Sequence, residues 1–196
     1  MDEARGKANK DSMAWKRALR RDMASRRAAL SDAERLGASA RIVGHLLAAI
    51  SPPRVAAFCW PIRREPDIRA AILHWRQAGS RAALPVVTGA GEPLAFREWT
   101  AATPLEADRY GIPTPTAGDW LTPDLILLPL NGFDAAGYRL GYGGGYFDRT
   151  LATLAPRPLS IGVGFELNRL PSIHPEAHDQ RLDWIVTEAG AFQPVG

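Results

Sequence analysis

The stretch Asp124-Leu-Ile-Leu-Leu-Pro-Leu130 decides the fold. A continuous apolar run of this length is typical of a strand that is buried on both faces, as in a parallel sheet covered by helices. A glycine-rich loop follows the run, and a helix is predicted from about residue 145 to 154. This order of strand, loop and helix indicates an α/β protein, in which ligands bind beyond the carboxyl ends of the strands.

Strand and helix patterns alternate along most of the remaining chain. Further strands are predicted over residues 54–60, 81–87, 93–99, 159–165 and 183–187, and further helices over 12–30, 31–50 and 66–78. The segment 110–115 contains two prolines and is predicted to lack regular structure. We therefore predict one α/β catalytic domain over residues 12–196, a single-domain, mainly parallel open sheet flanked by helices (Rossmann-like). Residues 1–11 are expected to form a disordered tail.

The composition excludes several classes of protein. Of the 196 residues, 46% are hydrophobic and 23% are charged, which is ordinary for a folded soluble domain and argues against a largely disordered chain. The single cysteine, Cys59, excludes an intramolecular disulfide and a zinc site built on several thiolates. No apolar run approaches the ~20 residues of a membrane-spanning helix, and the first residues lack the apolar core of a secretory signal. We therefore expect a cytoplasmic protein that is monomeric and binds no membrane.

Positive charge is concentrated near the N-terminus. Residues 1–35 contain 10 Lys/Arg and 6 Asp/Glu, whereas the rest of the chain contains 14 and 15. A basic end suits a phosphorylated ligand or a nucleic acid, although a solvated helix face gives the same pattern. The nearly neutral remainder of the chain argues against nucleic acid as the partner.

Chemistry is concentrated in the loop NGFDAAGYRLGYGGGYFDR, from Asn131 to Arg149, which contains six glycines between a buried strand and a helix. Glycines let the backbone approach a phosphate closely, and the N-terminus of the following helix attracts the same anion. Arg139 and Arg149 can add charged hydrogen bonds. The loop does not match the Walker A pattern, because Tyr146 rather than lysine follows Gly145. A surface turn is the other interpretation of a loop of this kind.

The segment Arg139-Leu-Gly-Tyr-Gly-Gly-Gly-Tyr-Phe-Asp-Arg149 resembles the signature loop of 5-formyltetrahydrofolate cyclo-ligases, also called methenyltetrahydrofolate synthetases. Other segments are similar to that family and occur in the same order, over roughly residues 14–188. They are Lys16-x-x-x-Arg20, Glu65-Pro-Asp67, Tyr110-Gly-Ile-Pro-Thr-Pro115, Asp124-Leu-Ile-Leu-Leu-Pro129 and His178-Asp-x-x-x-Asp183. The glycine loop is specific, whereas the other segments gain weight only from their shared order.

The resemblance implies cyclisation of 5-formyltetrahydrofolate to 5,10-methenyltetrahydrofolate, with ATP as co-substrate and Mg²⁺ as cofactor. ADP and phosphate are released, and the formyl oxygen is phosphorylated on the way. Tyr146 and Arg149 are the catalytic residues that it implies. The implied ATP-binding residues are Lys16, Arg20, Arg139, Leu140, Gly141, Tyr142, Gly143, Gly144, Gly145, Tyr146 and Phe147.

The resemblance also implies sites for the folate and the metal. The implied folate-binding residues are Cys59, Trp60, Glu65, Tyr142 and Tyr146, and the implied Mg²⁺ ligands are Asp148 and Asp183. Phe147 stands where many relatives have a second tyrosine, so it has no hydroxyl to contribute. Pro66 and Ile68 depart from the usual residues around Asp67, which weakens the implied contact of Glu65 with the pterin.

Two other functions fit the residues taken without the resemblance. One is a nucleic-acid-binding module that uses the basic N-terminal helices, and the other is a sugar-phosphate isomerase or transferase that uses the glycine loop without ATP. His174 and His178 have the spacing of metal ligands, but no third ligand is obvious, so we expect His178 to shape a turn instead. The pair Phe58 and Trp60 either lines a pterin slot or packs in the core.

Overall fold

A seven-stranded sheet forms the centre of the molecule. The computed structural model describes residues 2–195, and it describes side chains from residue 12 to residue 195. The strands are β1 (Val55–Phe58), β2 (Arg81–Val86), β3 (Ala95–Glu98), β4 (Leu105–Ala107), β5 (Pro113–Pro115), β6 (Leu125–Pro129), β7 (Gly132–Phe133), β8 (Arg139–Leu140), β9 (Leu159–Val163), β10 (Trp184–Thr187) and β11 (Gly190–Phe192). The central sheet has the order β11-β10-β9-β6-β1-β2-β3, while β4 pairs with β5 and β7 pairs with β8.

Most of the sheet is parallel, which confirms the predicted fold class. The five inner strands, from β10 to β2, run parallel to one another, and the edge strands β3 and β11 are antiparallel to their neighbours. The predicted strand at 124–130 is β6, the middle strand of the seven. Its residues 125–128 are at most 2% exposed, as expected for a strand covered on both faces.

Helices cover both faces of the sheet. They are α1 (Asp2–Ala29), α2 (Asp32–Ala49), α3 (Arg69–Gln77) and α4 (Tyr146–Thr153), with a short 3₁₀ turn at Glu166–Asn168. Leu127 of β6 belongs to the core cluster that contains apolar residues of α2 and α3, whereas Ile126 belongs to the cluster that contains Leu151 of α4. Successive side chains of a strand point to opposite faces, so the apolar run of β6 fills both cores.

The boundary between the first two helices agrees with the sequence. The Ser31 hydroxyl accepts a hydrogen bond from the Glu34 amide at 3.2 Å, and the Glu34 carboxylate accepts one from the Ser31 amide at 2.8 Å. This is the predicted capping box, and it starts α2 at Asp32. Helix α1 begins at Asp2, whereas the hydrophobic pattern places its start at residue 12. A separate tail over residues 1–11 stays a prediction, because side chains are described only from residue 12.

The prediction that the segment 110–115 lacks regular structure is wrong, because residues 113–115 form a strand. Strand β5 pairs with β4 in an antiparallel hairpin, with Leu105 opposite Pro115 and Ala107 opposite Pro113. Proline is tolerated in an edge strand, where its missing N–H interrupts no inner ladder. The tip of this hairpin carries Arg109 and Tyr110.

Within residues 2–195, no long helix is apolar enough to cross a membrane.

Candidate active site

The glycine loop lies at the edge of the sheet where the parallel strands end. Strand β6 ends at Pro129, the hairpin of β7 and β8 follows, and residues 141–145 then lead into α4. Gly145 is the residue that precedes the first helical residue, and no side chain caps the helix there. The amide N–H groups of the first turn of α4 therefore lack helical acceptors, and the helix dipole adds positive potential at the same point.

Two of the glycines are required by the shape of the loop. Gly145 has φ +64°, in the left-handed region that glycine adopts without strain. A Cβ atom on Gly144 would lie 2.8 Å from the ring of Tyr146. The tight loop thus packs closely under the tyrosine that follows it.

Helix α1 brings two cations to this loop. Arg20 Nε donates to the carbonyl oxygen of Gly141 at 2.7 Å. Lys16, one turn earlier, lies with Nζ 2.9 Å from Glu176 and 3.6 Å from Asp179. Burial, together with the charge of Arg17, lowers the pKa of Arg20. The structure therefore places Arg20 against the glycine loop, although the two are far apart in sequence, and it places Lys16 beside Glu176 and Asp179.

Arg139 lies beneath the loop. Its side chain is 4% exposed, and one terminal nitrogen is 3.0 Å from Asp148 Oδ1 while the other donates to the carbonyl of Gln180 at 3.0 Å. The amide of Gln180 donates to the same Asp148 oxygen at 2.9 Å. Arg139 thus fixes Asp148 in the first turn of α4. The side chain of Leu140 is buried, and that of Phe147 packs on the core. The backbone groups of these two residues are therefore the ones that a ligand in the loop can use.

Tyr146 is surrounded by polar groups at the entrance of the loop. Its hydroxyl accepts a hydrogen bond from Arg109 at 2.6 Å and lies 2.9 Å from the hydroxyl of Tyr110. Arg149 lies over the Tyr146 ring at 5.1 Å and donates to the carbonyl of Gly144 at 2.6 Å. Arg109 and the hydroxyl of Tyr110 were not among the predicted site residues. The sequence gives Tyr110–Pro115 as a proline-rich segment similar to the family but assigns it no role, because the contacts depend on how the hairpin folds.

Glu65 occupies a buried position on the other side of the loop. It is 5% exposed, and it accepts hydrogen bonds from the Tyr142 hydroxyl and from the amide of Ile62. Burial raises its pKa, while these hydrogen bonds and the charges of Arg27 and Arg63 act in the opposite direction. Glu65 therefore links the loop residue Tyr142 to the end of β1.

The other two residues of the implied folate site lie directly after β1. Cys59 is half-buried, and burial, with the nearby charge of Glu65, raises the pKa of its thiol, which is therefore protonated at neutral pH. A cavity of about 20 Å³ adjoins Cys59 and Glu65, and an open one of about 350 Å³ adjoins Glu65 and four arginines. Trp60 packs edge-to-face on Trp99 with the ring centroids 6.1 Å apart, so it serves the core as well.

Asp148 and Asp183, the implied metal ligands, are not brought together. Asp183 lies at the amino end of β10, where it accepts hydrogen bonds from the Ser160 amide and hydroxyl at 2.8 and 2.7 Å and pairs with Arg157 at 3.0 Å. Burial acts to raise its pKa, but these contacts outweigh burial and lower it. The glycine loop lies at the opposite edge, beyond the carboxyl ends of the strands. The contacts of Asp183 therefore stabilise the sheet at the amino ends of β9 and β10.

A different carboxylate approaches the loop. Asp179 lies beside Lys16, and its Oδ2 atom accepts a hydrogen bond from the amide of Glu176 at 2.8 Å. No cluster of three or more His, Cys, Asp or Glu side chains suited to a metal occurs among the described side chains. The ring of His174 lies 5.0 Å from that of Trp15, and His178 is largely exposed, so the spacing of the two histidines marks no metal site.

The family model and two curated relatives point to the same family. The model of the 5-formyltetrahydrofolate cyclo-ligase family matches residues 12–188. A 5-formyltetrahydrofolate cyclo-ligase of Mycolicibacterium smegmatis is 30% identical over 86% of this chain and 91% of its own length. One from Mycoplasma pneumoniae is 27% identical over 88% of this chain and 98% of its own.

Solved structures agree with the sequence relatives. The 5,10-methenyltetrahydrofolate synthetase of Aquifex aeolicus superposes with a TM-score of 0.78 at 28% identity, covering 92% of this chain and 93% of its own. The enzyme of that name from Mycoplasma pneumoniae gives a TM-score of 0.73 at 26% identity, covering 88% and 98%. The glycine loop, the fold and nearly the whole length of the chain match together, and the protein belongs to the 5-formyltetrahydrofolate cyclo-ligase family.

Proposed function

We propose that this enzyme closes the ring of 5-formyltetrahydrofolate to give 5,10-methenyltetrahydrofolate at the expense of ATP, with Mg²⁺ as cofactor. Hydroxide is a poor leaving group from the formyl carbon. Attack of the formyl oxygen on the γ-phosphorus releases ADP, and the phosphorylated oxygen then leaves as phosphate when N10 of the folate bonds to that carbon and loses its proton. Phosphoryl transfer of this kind depends mainly on positioning and on charge stabilisation.

The observation that carries the proposal is the convergence of cations on one glycine loop. Arg20 reaches the Gly141 carbonyl from α1, and Arg149 reaches the Gly144 carbonyl from α4. Lys16 lies one turn before Arg20 on α1, and the amide groups of the first turn of α4 add further donors. A triphosphate is the ligand that such a set of donors suits. We assign residues 141–145 and these three side chains to the phosphates.

Residues beside the loop take separate roles in this proposal. Arg139 is nearly enclosed and already bonded to Asp148, so we assign it to hold that carboxylate rather than to contact ATP directly. Tyr146 and Arg149 face the reacting phosphoryl group. Glu65 and Tyr142, with Cys59 and Trp60 behind them, form the folate side, where the carboxylate accepts N–H groups of the pterin.

The residues near the loop fit a magnesium ion, although not in the pairing that the sequence implies. Mg²⁺ takes one or two carboxylates together with phosphate and water oxygens, and it supplies charge neutralisation to the phosphates. Asp148 and Asp179 both lie on the loop side of the sheet, linked through the adjacent Gln180, whereas Asp183 is engaged at the far edge. We therefore propose Asp148 and Asp179 as the ligands. The site is built from one chain, and we infer that the enzyme acts as a monomer in the cytoplasm.

The function is tested by incubating the purified protein with ATP, Mg²⁺ and 5-formyltetrahydrofolate. We expect the absorbance of the conjugated methenyl product to appear together with one ADP per product. Absence of product at high enzyme concentration would contradict the proposal. Tight binding of sugar phosphates in calorimetry, without binding of ATP, would favour the isomerase interpretation instead.

Replacing Lys16 tests the role of α1. Lys16→Ala is expected to raise the KM for ATP by about tenfold or more and the KM for folate by less than about twofold, because a charge-assisted contact to a phosphate is lost at a cost of about 1.5–3 kcal/mol. The matched control is Arg26→Ala on the same helix, whose ion pair with Asp22 is half-exposed. Steady-state kinetics with each substrate varied provides the measurement. Equal changes in both KM values would show that Lys16 does not contact ATP.

Two aspartate variants test the metal assignment. Asp179→Asn is expected to raise the Mg²⁺ concentration needed for half-maximal rate by about tenfold, since one of two hard oxygen ligands loses its charge. Asp183→Asn is expected to lower the urea midpoint of unfolding and to leave the Mg²⁺ requirement of the folded enzyme unchanged. The measurement is a magnesium titration of the rate for each variant. A shift in Asp183→Asn with none in Asp179→Asn would reverse the assignment.

A further inference from the structure

The hairpin of β4 and β5 reaches the glycine loop through its tip. Arg109 donates to the Tyr146 hydroxyl oxygen at 2.6 Å, and the Tyr110 hydroxyl lies 2.9 Å from the same atom. The Tyr110 and Tyr146 rings meet edge-to-face with centroids 6.3 Å apart, and Arg109 also lies over the Tyr110 ring at 4.9 Å. Three side chains from two separate segments therefore meet at one phenol oxygen.

Arg109 sets the direction of one hydrogen bond of the Tyr146 hydroxyl. A guanidinium has only donors, so Arg109 makes the phenol oxygen an acceptor. When Tyr110 donates to the same oxygen, both of its lone pairs are engaged and the Tyr146 hydrogen points away from the hairpin. A ligand oxyanion above the glycine loop is the acceptor that this hydrogen can reach.

We propose that Arg109 is a positioning residue of the reaction, which holds the Tyr146 hydroxyl as a directed hydrogen-bond donor to the phosphoryl oxygens. This inference rests on the proposed function of the loop. Arg109 itself contacts the tyrosine rather than the substrate. No proton is transferred, because the phenol acts only as a donor to an oxyanion.

The charges around Tyr146 support this role. The groups that face its ring and hydroxyl are Arg109 and Tyr110 from the hairpin and Arg149 from its own helix. Arg109 and Arg149 bring two positive charges to this phenol, and an anionic ligand oxygen beside its hydroxyl is favoured by them. An oriented donor in a reaction site contributes to turnover.

The test compares Arg109→Met and Arg109→Lys with a matched control. Arg97→Met is the control, because Arg97 also stacks on an aromatic ring, Trp120 at 5.1 Å, and reaches the end of the same hairpin without touching Tyr146. We expect Arg109→Met to lower kcat about tenfold with the KM for ATP changed less than about twofold, and Arg109→Lys to recover part of the loss. Arg97→Met is expected to keep the kcat of the wild type.

A double variant separates positioning from a general structural effect. Because Arg109 acts through Tyr146, Tyr146→Phe is expected to lower kcat, and adding Arg109→Met to it is expected to cause little further loss. Additive losses would overturn the proposal, as would a kcat for Arg109→Met equal to that of Arg97→Met or an unchanged kcat in Tyr146→Phe.

A crystal structure gives a readout that needs no activity. Arg109 is expected to donate to the Tyr146 hydroxyl oxygen in the wild type, and the Tyr146 hydroxyl is expected to leave its wild-type position in Arg109→Met. An Arg109 side chain that does not reach Tyr146 would overturn the proposal. Inactivity of the wild type with folate and ATP, in contrast, would contradict the proposed function and leave the contact between Arg109 and Tyr146 in place.

Discussion

The hydrogen bond from Arg20 to the Gly141 carbonyl joins the N-terminal helix to the glycine loop, and the site depends on this junction. Helix α1 has little apolar surface to hold it, since Met23 is its one fully buried apolar side chain among the described residues. The basic face of the helix is therefore positioned by polar contacts, which include those of Lys16 with Glu176 and Asp179. A polyanion bound between α1 and the loop would strengthen the same junction, because it offers acceptors to both.

The placement of charge explains why the site suits a large anion. Arginines and a lysine converge from α1, from α4 and from the β4–β5 hairpin, while the nearby carboxylates Asp148 and Asp179 are held by Arg139, Gln180 and Lys16. These cations donate to carbonyl oxygens, carboxylates and a phenol. A triphosphate offers charged acceptors to the same donors, and hydrogen bonds to charged acceptors are the stronger ones.

Local patterns were sufficient for much of this structure. The apolar run of β6 predicted a strand covered on both faces, and Ser31 with Glu34 predicted the start of α2, because both features depend on residues close in sequence. The glycine loop was recognised for the same reason. The sequence also indicated that Lys16 and Arg20 share one helix face, but the contact of Arg20 with Gly141 depends on the fold.

Features that depend on tertiary contacts were missed. The pairing of Pro113–Pro115 with β4 depends on an edge position that no local pattern reveals. Because this hairpin was not predicted, the contacts of Arg109 and Tyr110 with Tyr146 were not predicted either. The metal ligands stay a prediction, and we propose Asp179 in place of Asp183 because tertiary contacts with Ser160 and Arg157 already engage Asp183. Glu65 was assigned to the folate site by resemblance alone, and its burial against Tyr142 depends on tertiary contacts that no local pattern reveals.

A crystal structure with ADP, Mg²⁺ and a folate analogue tests the central claim most directly. We predict phosphate oxygens within hydrogen-bond distance of the amide groups of residues 141–146 and of Lys16 and Arg20, with the pterin beside Glu65. Phosphates bound elsewhere on the molecule, or an empty loop at saturating nucleotide, would contradict the account.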